Sequence, residues 1–242
     1  MVEPLFHKEN LVAVVGSTIE LDGAEGKHAV QVRRMRAGEA IQLSDGKGIR
    51  ARGLVSEIRG SSLVVLVEEV ITEQLPSRQI TLVQALAKGD RDELAIQAAT
   101  ELGVTSIIPW QATRSISRWD GPKQAKGQAR WQQIVSEAAK QSLRAFTPVV
   151  SNIAETKELG LQVQDFDLVL VLDTTATKHL SEQSIPKVGK LAIVVGPEGG
   201  IDQAELDLLE KAGAKLVSLG ANVLRTSTAG PALIAALLLG NA

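Results

Sequence analysis

The chain has 242 residues, 44% of them apolar, with 26 basic and 28 acidic side chains. It has no cysteine, which excludes disulfides, cysteine-ligated zinc, iron–sulfur clusters and thiolate nucleophiles. The three histidines (His7, His28, His179) are scattered without metal-binding spacing, so no metal is expected, and a formal charge of −2 does not by itself suggest a nucleic-acid partner.

The charge is uneven, however. Residues 76–150 carry 10 basic and 6 acidic groups and residues 151–242 carry 7 and 11, so a local basic face is compatible with the acidic total. The N-terminal "MVEPLFHKENLVAVV" has charges inside it and only a short apolar run, unlike a signal peptide. The late apolar run Ala232–Leu239 is too short for a bilayer, and the expectation is a soluble, cytoplasmic protein.

The first seventy residues read mostly as β-structure. "LVAVV" and "IEL" come early, "AIQLSDGKGIRARGLVSEI" has strand-like halves around an Asp45-Gly46 turn, and "SLVVLVEEVI" (62–71) follows. "EGKHAVQVRRM" (25–35) fits one short helix, giving a small barrel or curled sheet over residues 1–72. The polar, proline-containing 73–78 reads as a linker, and 79–242 as a second domain.

There the rhythm changes. "ITLVQAL" (80–86) reads as a buried strand, and "RDELAIQAATELG" (91–103) as a helix with Leu94, Ile96, Ala98, Ala99 and Leu102 inward and Gly103 as its stop. "SIIPW" is again a strand, and "QARWQQIVSEAAKQSL" (128–143) a helix with Trp131, Ile134, Val135, Ala138 and Leu143 inward. "FDLVLVL" (166–172), "KLAIVV" (190–195) and "KLVSL" (215–219) are nearly all-apolar strands with helices between or after them, notably "QAELDLLEKAG". The pattern predicts an α/β domain with a mostly parallel sheet.

Parallel sheets bind ligands at the carboxyl ends of their strands. Three loops leave such ends: "LDTTAT" (172–177), "GPEGG" (196–200) and "LGANVLRTSTAG" (219–230). The glycines allow sharp turns and close ligand approach, and Asp202 with Glu205 forms a capping-box pattern. Neither a Gly-x-Gly-x-x-Gly at this turn nor a P-loop anywhere supports a dehydrogenase or a nucleotide-phosphate enzyme. Arg225 with Thr226, Ser227 and Thr228, at the entry of an all-apolar last helix, suits an anion or a carbonyl oxygen, or else caps a neighbouring helix.

"GPEGG" after a strand, then "LGANVLRTSTA", resembles the paired signature of SPOUT-superfamily methyltransferases. "KGDRDELAIQAATELGVTSIIPW", "RSISRW", "RWQQIVSEAAKQSLRAFTPVV" and "GKHAVQVRRMRAGEAIQLSDGKG" narrow the resemblance to the RsmE-type 16S rRNA uridine N3-methyltransferases, over nearly the whole chain. The resemblance implies a PUA-like N-terminal RNA-binding β-barrel and a C-terminal domain ending in a trefoil knot. It also implies a homodimer, S-adenosylmethionine as cofactor, and small-subunit 16S rRNA near the decoding centre as substrate.

By the same resemblance the cofactor would lie against Leu172, Asp173, Val195, Gly196, Pro197, Glu198, Gly199, Gly200, Leu219, Gly220, Val223, Leu224 and Thr226. Arg225 would stabilise negative charge on the uracil oxygens, and Glu198 would accept a hydrogen bond or help a proton leave. RNA would meet Arg33, Arg34 and Arg36 in the first domain, and Arg114, Arg118, Lys123, Lys126, Arg130, Lys140 and Arg144 in the second. Three positions depart from the family pattern: the start lacks an arginine, Ala98 replaces a lysine, and Ser227 replaces a glutamate. The missing cysteine separately excludes thiolate-dependent methylation at pyrimidine C5. The competing readings are a related knot methyltransferase acting on ribose 2′-oxygens or tRNA, and a non-catalytic RNA-binding or assembly factor.

Overall fold

The computed structural model describes residues 3–239. Gly240–Ala242, at the end of the expected second domain, and Met1–Val2 lie outside the described residues. The chain forms two compact units, residues 1–75 with 139–147, and residues 76–138 with 148–242.

The first unit contains β1 (Leu5–His7), β2 (Thr18–Leu21), α1 (Gly23–Lys27), a π-helical turn (His28–Val32), β3 (Ala40–Ser44), β4 (Ile49–Arg59) and β5 (Ser62–Thr72). Its sheet order is β1-β3-β4-β5-β2, with β1 parallel to β3 and the other pairs antiparallel. One face alternates into a core of Phe6, Ile19, Leu21, Ile41, Leu43, Val55, Leu63 and Val65.

The expected 25–35 helix starts at Gly23 and ends at Val32, where the Arg33 amide closes a bond to His28 O and Arg34 turns to φ 55°. "LVAVV" forms no strand. Only Leu11 is buried, while Val12, Val14 and Val15 are exposed, because no neighbouring strand supplies the backbone partners an extended segment needs. Residues 139–147 also belong to this unit rather than to the expected second domain. Lys140 Nζ bonds Glu25 Oε1 at 2.6 Å, and the Thr147 amide bonds Gly46 O at 2.9 Å.

The second unit contains β6 (Arg78–Ala85), α2 (Arg91–Leu102), β7 (Ser106–Gln111), the main part of α3 (Pro122–Gln141), β8 (Val149–Val150), β9 (Ala154–Glu155), α4 (Thr156–Gln162), β10 (Leu168–Leu172), β11 (Gly189–Val195), α5 (Gln203–Ala212), β12 (Lys215–Val217) and α6 (Thr226–Leu239). Every strand pairing is parallel, in the order β12-β10-β11-β6-β7-β8, with β9 also on β7.

Side chains alternate cleanly between the two faces. Leu82, Leu170, Ile193 and Val195 join α2, α3 and α6 residues on one face, and Val83, Val171, Ala192 and Val194 join α4 and α5 on the other. Burial on both faces explains why these strands read as continuous apolar runs. Within α2, Ile96 and Ala99 are buried, but Leu94 and Leu102 are exposed; Asp92 and Thr100 take buried positions instead. Gly103 ends the helix at φ 113°. Leu143 lies beyond the end of α3 at φ 55°.

Among the described residues no helix is long and apolar enough to cross a membrane. The closest backbone approach in the first sheet is at Gly53, beside a bulge, where a Cβ would stand 2.0 Å from Leu66 O. Gly53→Ala is expected to destabilise the first unit by about 2–3 kcal/mol. Urea unfolding measures this, and an unchanged midpoint contradicts it.

Candidate cofactor cleft at the carboxyl edge of the parallel sheet

The strands β10, β11 and β12 end on the same side of the sheet, at Leu172, Val195 and Val217. The chain after each makes a loop, and the loops enclose a cleft with two adjoining lobes. The larger, about 560 Å³, is lined by Leu172–Thr174, Val195–Ile201, Val223–Thr226, Arg91 and Ala229. The smaller, about 160 Å³, is lined by Leu172–Thr174, Val217–Leu224 and Ala229. The larger lobe alone falls in the range of small-molecule sites.

The glycine loop between β11 and α5 is shaped locally. A Cβ on Gly196 would meet Ile201 Cγ1 at 2.6 Å, and Gly200 turns at φ 72° with its amide on Pro197 O. The capping box at Asp202 forms: Asp202 Oδ1 accepts the Ala204 amide at 3.1 Å, and Glu205 Oε2 accepts the Asp202 amide at 3.2 Å. Glu205 also does something no local pattern announces. Its buried Oε1 accepts the Thr113 amide at 2.9 Å and the Thr156 hydroxyl at 2.5 Å, joining the starts of α4 and α5 to the chain after β7.

Thr226 closes the cleft from below. Its hydroxyl donates to Gly196 O at 2.8 Å and accepts from Gln84 Nε2 at 2.9 Å. Glu198 Oε1 accepts from the Lys88 amide at 3.0 Å and from Arg91 Nη1 at 2.8 Å. Burial raises the Glu198 pKa, but its own amide, the Lys88 amide and Arg91 outweigh that, and the net effect holds the carboxyl below its ordinary value. Asp92 fixes the segment bearing Lys88 and Arg91 by accepting the Ala87 amide at 3.0 Å. Its burial raises the carboxyl above the usual range, against the opposing pull of the Ala87 and Glu93 amides.

All thirteen residues expected to hold the cofactor line one lobe or the other, together with Arg225. Apolar Leu172, Val195, Val223 and Leu224 stand beside main-chain turns, and Asp173 offers a carboxylate whose Oδ1 is held by the Thr175 amide at 2.8 Å. Arg225 is exposed in the larger lobe, with no side-chain partner among the described residues. The lining residues Arg91, Ile201, Val217 and Ser218 fall outside both the three loops read from the sequence and the residues named by resemblance; Arg91 had a faint signal, as the first residue after the Gly89-Asp90 turn.

The basic residues separate into groups. Arg33, Arg34 and Arg36 are exposed in the first unit, and Arg118, Lys123 and Lys126 in the second. Arg130 is paired with Glu93 through Nη2 and Oε2 at 2.6 Å. Arg114 is turned to the glycine loop, with Nη1 3.3 Å from Gly199 O and Nη2 3.0 Å from Asp202 Oδ2. Lys140 and Arg144 do not join the second unit's face. They sit in the first unit, where Lys140 is held by Glu25 and burial lowers the proton affinity of half-buried Arg144. Among the described residues no cluster of three metal-ligating side chains occurs.

The chain carries a two-lobed cleft at the carboxyl edge of a parallel sheet and, as a separate unit, a β-sheet, and it belongs to the RNA methyltransferase family. Residues 73–238 match the family model described as an RNA methyltransferase domain, and residues 21–68 match the RNA methyltransferase PUA domain. The relatives are more particular. The ribosomal RNA small subunit methyltransferase E of Mycobacterium bovis is 41% identical over 98% of this chain and 91% of its own. That of Bacillus subtilis is 35% identical over 88% and 86%. A solved structure of the Neisseria gonorrhoeae enzyme of the same name, bound to S-adenosyl methionine, superposes with a TM-score of 0.87 at 31% identity, covering 98% and 97%. A methyltransferase from Legionella pneumophila with bound SAM gives 0.88 at 26% identity, covering 99% and 98%.

The Glu198 contact present at neutral pH is lost only as pH falls through its lowered pKa. The Lys88 amide is therefore expected to titrate by NMR with a midpoint below 4.5, the ordinary value. A midpoint above 4.5 contradicts the assignment. Thr226→Val removes a donor and an acceptor at one buried point and is expected to cost about 1–3 kcal/mol in thermal unfolding; an unchanged midpoint contradicts it.

Proposed function

We propose that this protein methylates N3 of a uridine in small-subunit ribosomal RNA, near the decoding centre, using S-adenosylmethionine held in the two-lobed cleft. The observation that carries the reading is the convergence of three strand-end loops on one cleft in a chain 41% identical to a ribosomal RNA small subunit methyltransferase E. The cleft fits the cofactor's chemistry. Leu172, Val195, Val223 and Leu224 suit the adenine, main-chain groups of Gly196–Gly200 and Leu219–Gly220 offer hydrogen bonds to its edge, and the Asp173 carboxylate suits a hydroxyl or ammonium group. The bound cofactor supplies an electrophilic methyl on a sulfonium.

The chain's own task is positioning and charge. Uridine N3 carries a proton at neutral pH; its loss to solvent water spreads negative charge onto the flanking uracil oxygens, and N3 then forms a bond to the methyl carbon as the sulfonium–methyl bond breaks, leaving a neutral thioether. Arg225, unpartnered in the larger lobe, stabilises that charge. Glu198 is held by the Lys88 amide and Arg91, and these contacts keep its carboxyl below its ordinary pKa, a weak base, so it serves the loop's shape more than proton removal. The exposed Arg33, Arg34 and Arg36, and Arg118, Lys123 and Lys126, suit phosphate contacts that weaken with salt.

The proposal includes a trefoil knot formed by the chain around the cleft and a homodimer. Leu94 and Leu102 of α2, together with Leu238 of α6, leave aliphatic surface uncovered where those two helices pack, and this supports the dimer. It also includes action in the cytoplasm, where ribosomal RNA is found.

Incubation with S-adenosylmethionine and small subunits lacking the modification is expected to yield stoichiometric 3-methyluridine by nucleoside mass spectrometry. Cofactor binding without that product contradicts the reaction and favours a binding role. Arg225→Ala is expected to lower turnover about a hundredfold with cofactor affinity unchanged. Full turnover in that variant overturns the role of Arg225.

A further inference from the structure

The glycine loop poses a physical problem that its own bonds do not solve. Gly196, Gly199 and Gly200 lose more conformational freedom on ordering than other residues, and within the loop the Gly200 amide on Pro197 O is the turn-forming bond. A wall whose main-chain groups must meet a ligand binds best when it is ordered beforehand.

Two arginines from different segments reach it. The Arg114 guanidinium, from the chain after β7, spans Gly199 O at 3.3 Å and Asp202 Oδ2 at 3.0 Å, joining the far end of the loop to the cap of α5. Its planar fork holds both acceptors in one geometry. Arg91, the first residue of α2, bonds Glu198 on the near side. A cation at the positive end of a helix is electrostatically misplaced unless an anion faces it, and Glu198 is that anion.

We infer that Arg114 and Arg91 brace the Gly196–Asp202 loop from two sides and are positioning residues for the cofactor wall. Arg114 thus acts through Gly199 and Asp202, and does not contact RNA phosphate. This rests on the cofactor reading above. The contrast with Lys123 and Lys126 supports the distinction: they are exposed and make no ion pair among the described residues, whereas Arg114 is committed to two acceptors. The brace is not a fold-stabilising device. Side-chain exposures of 49% and 34% for Arg114 and Asp202, and 44% and 22% for Arg91 and Glu198, belong to pairs that contribute little to global stability. The variants are therefore expected to fold.

The test uses the full chain with Arg114→Ala, Arg114→Lys and Arg91→Ala. Hydrogen exchange of residues 196–202 is followed in the free protein, S-adenosylmethionine affinity by calorimetry, and affinity for a small-subunit rRNA fragment by filter binding. Arg114→Ala is expected to speed exchange across the loop and raise the cofactor Kd about tenfold, with RNA affinity and thermal midpoint unchanged. Arg114→Lys, whose ammonium reaches one acceptor at a time, falls between. Arg91→Ala is expected to loosen the Glu198 side of the loop. Unchanged exchange and cofactor affinity with weakened RNA binding overturn the brace and return Arg114 to the RNA surface. A lowered midpoint without faster exchange in the loop overturns it as well, leaving a merely structural residue. If the wild-type chain binds no S-adenosylmethionine, the cofactor reading fails, while loop exchange still decides the brace.

Discussion

The carboxyl edge of the parallel sheet depends on how α6 enters it, and that entry is fixed by one buried hydroxyl. Thr226 has a single proton, which goes to Gly196 O; its lone pair must then accept from Gln84 Nε2. This fixes the Gln84 amide, whose Nε2 also reaches Ala85 O at 3.1 Å and whose Oε1 is buried without a protein partner. Three pieces of chain far apart in sequence, the ends of β6 and β11 and the start of α6, are thereby held at one point. The glycine loop and the entry of α6 thus share one anchor, Thr226, at the floor of the cleft.

Around that joint the charges are sorted by occupation. Arg91 and Glu198 neutralise one another, and Arg114 is spent on the loop and on Asp202. The Arg225 side chain has no partner among the described residues, and it lines the larger lobe. Under the proposed reaction, this positive charge would meet the negative charge that develops on the base. Methyl transfer asks little else of the protein beyond alignment, which fits a cleft built from main chain and aliphatic side chains.

Much of this was legible in the sequence where the cause is local. The strands 80–86, 166–172 and 190–195 announce themselves because both faces are buried, and the Asp202–Glu205 cap because its partners are three residues apart. What was illegible is what depends on distant chain. "LVAVV" has the composition of a strand but no neighbour to pair with. Leu94 and Leu102 satisfy a helical spacing, yet they lie outside the buried stripe set by Ile96 and Ala99. The departure of residues 139–147 to the first unit rests on Glu25 and Gly46, each about a hundred residues away. Arg114 looked like any surface cation, since its acceptors lie 85 and 88 residues further on. Most residues lining the cleft coincide with those the strand-end glycine loops and the family resemblance point to; the residues that hold those loops in place carried no comparable signal.

The most direct test of the central claim is a crystal structure grown with S-adenosylhomocysteine, the demethylated cofactor. Density is expected in the cleft bounded by Leu172–Thr174, Val195–Ile201 and Val217–Thr226, with Arg225 beside the sulfur end. Density elsewhere, with the three strand-end loops uncovered, would contradict it.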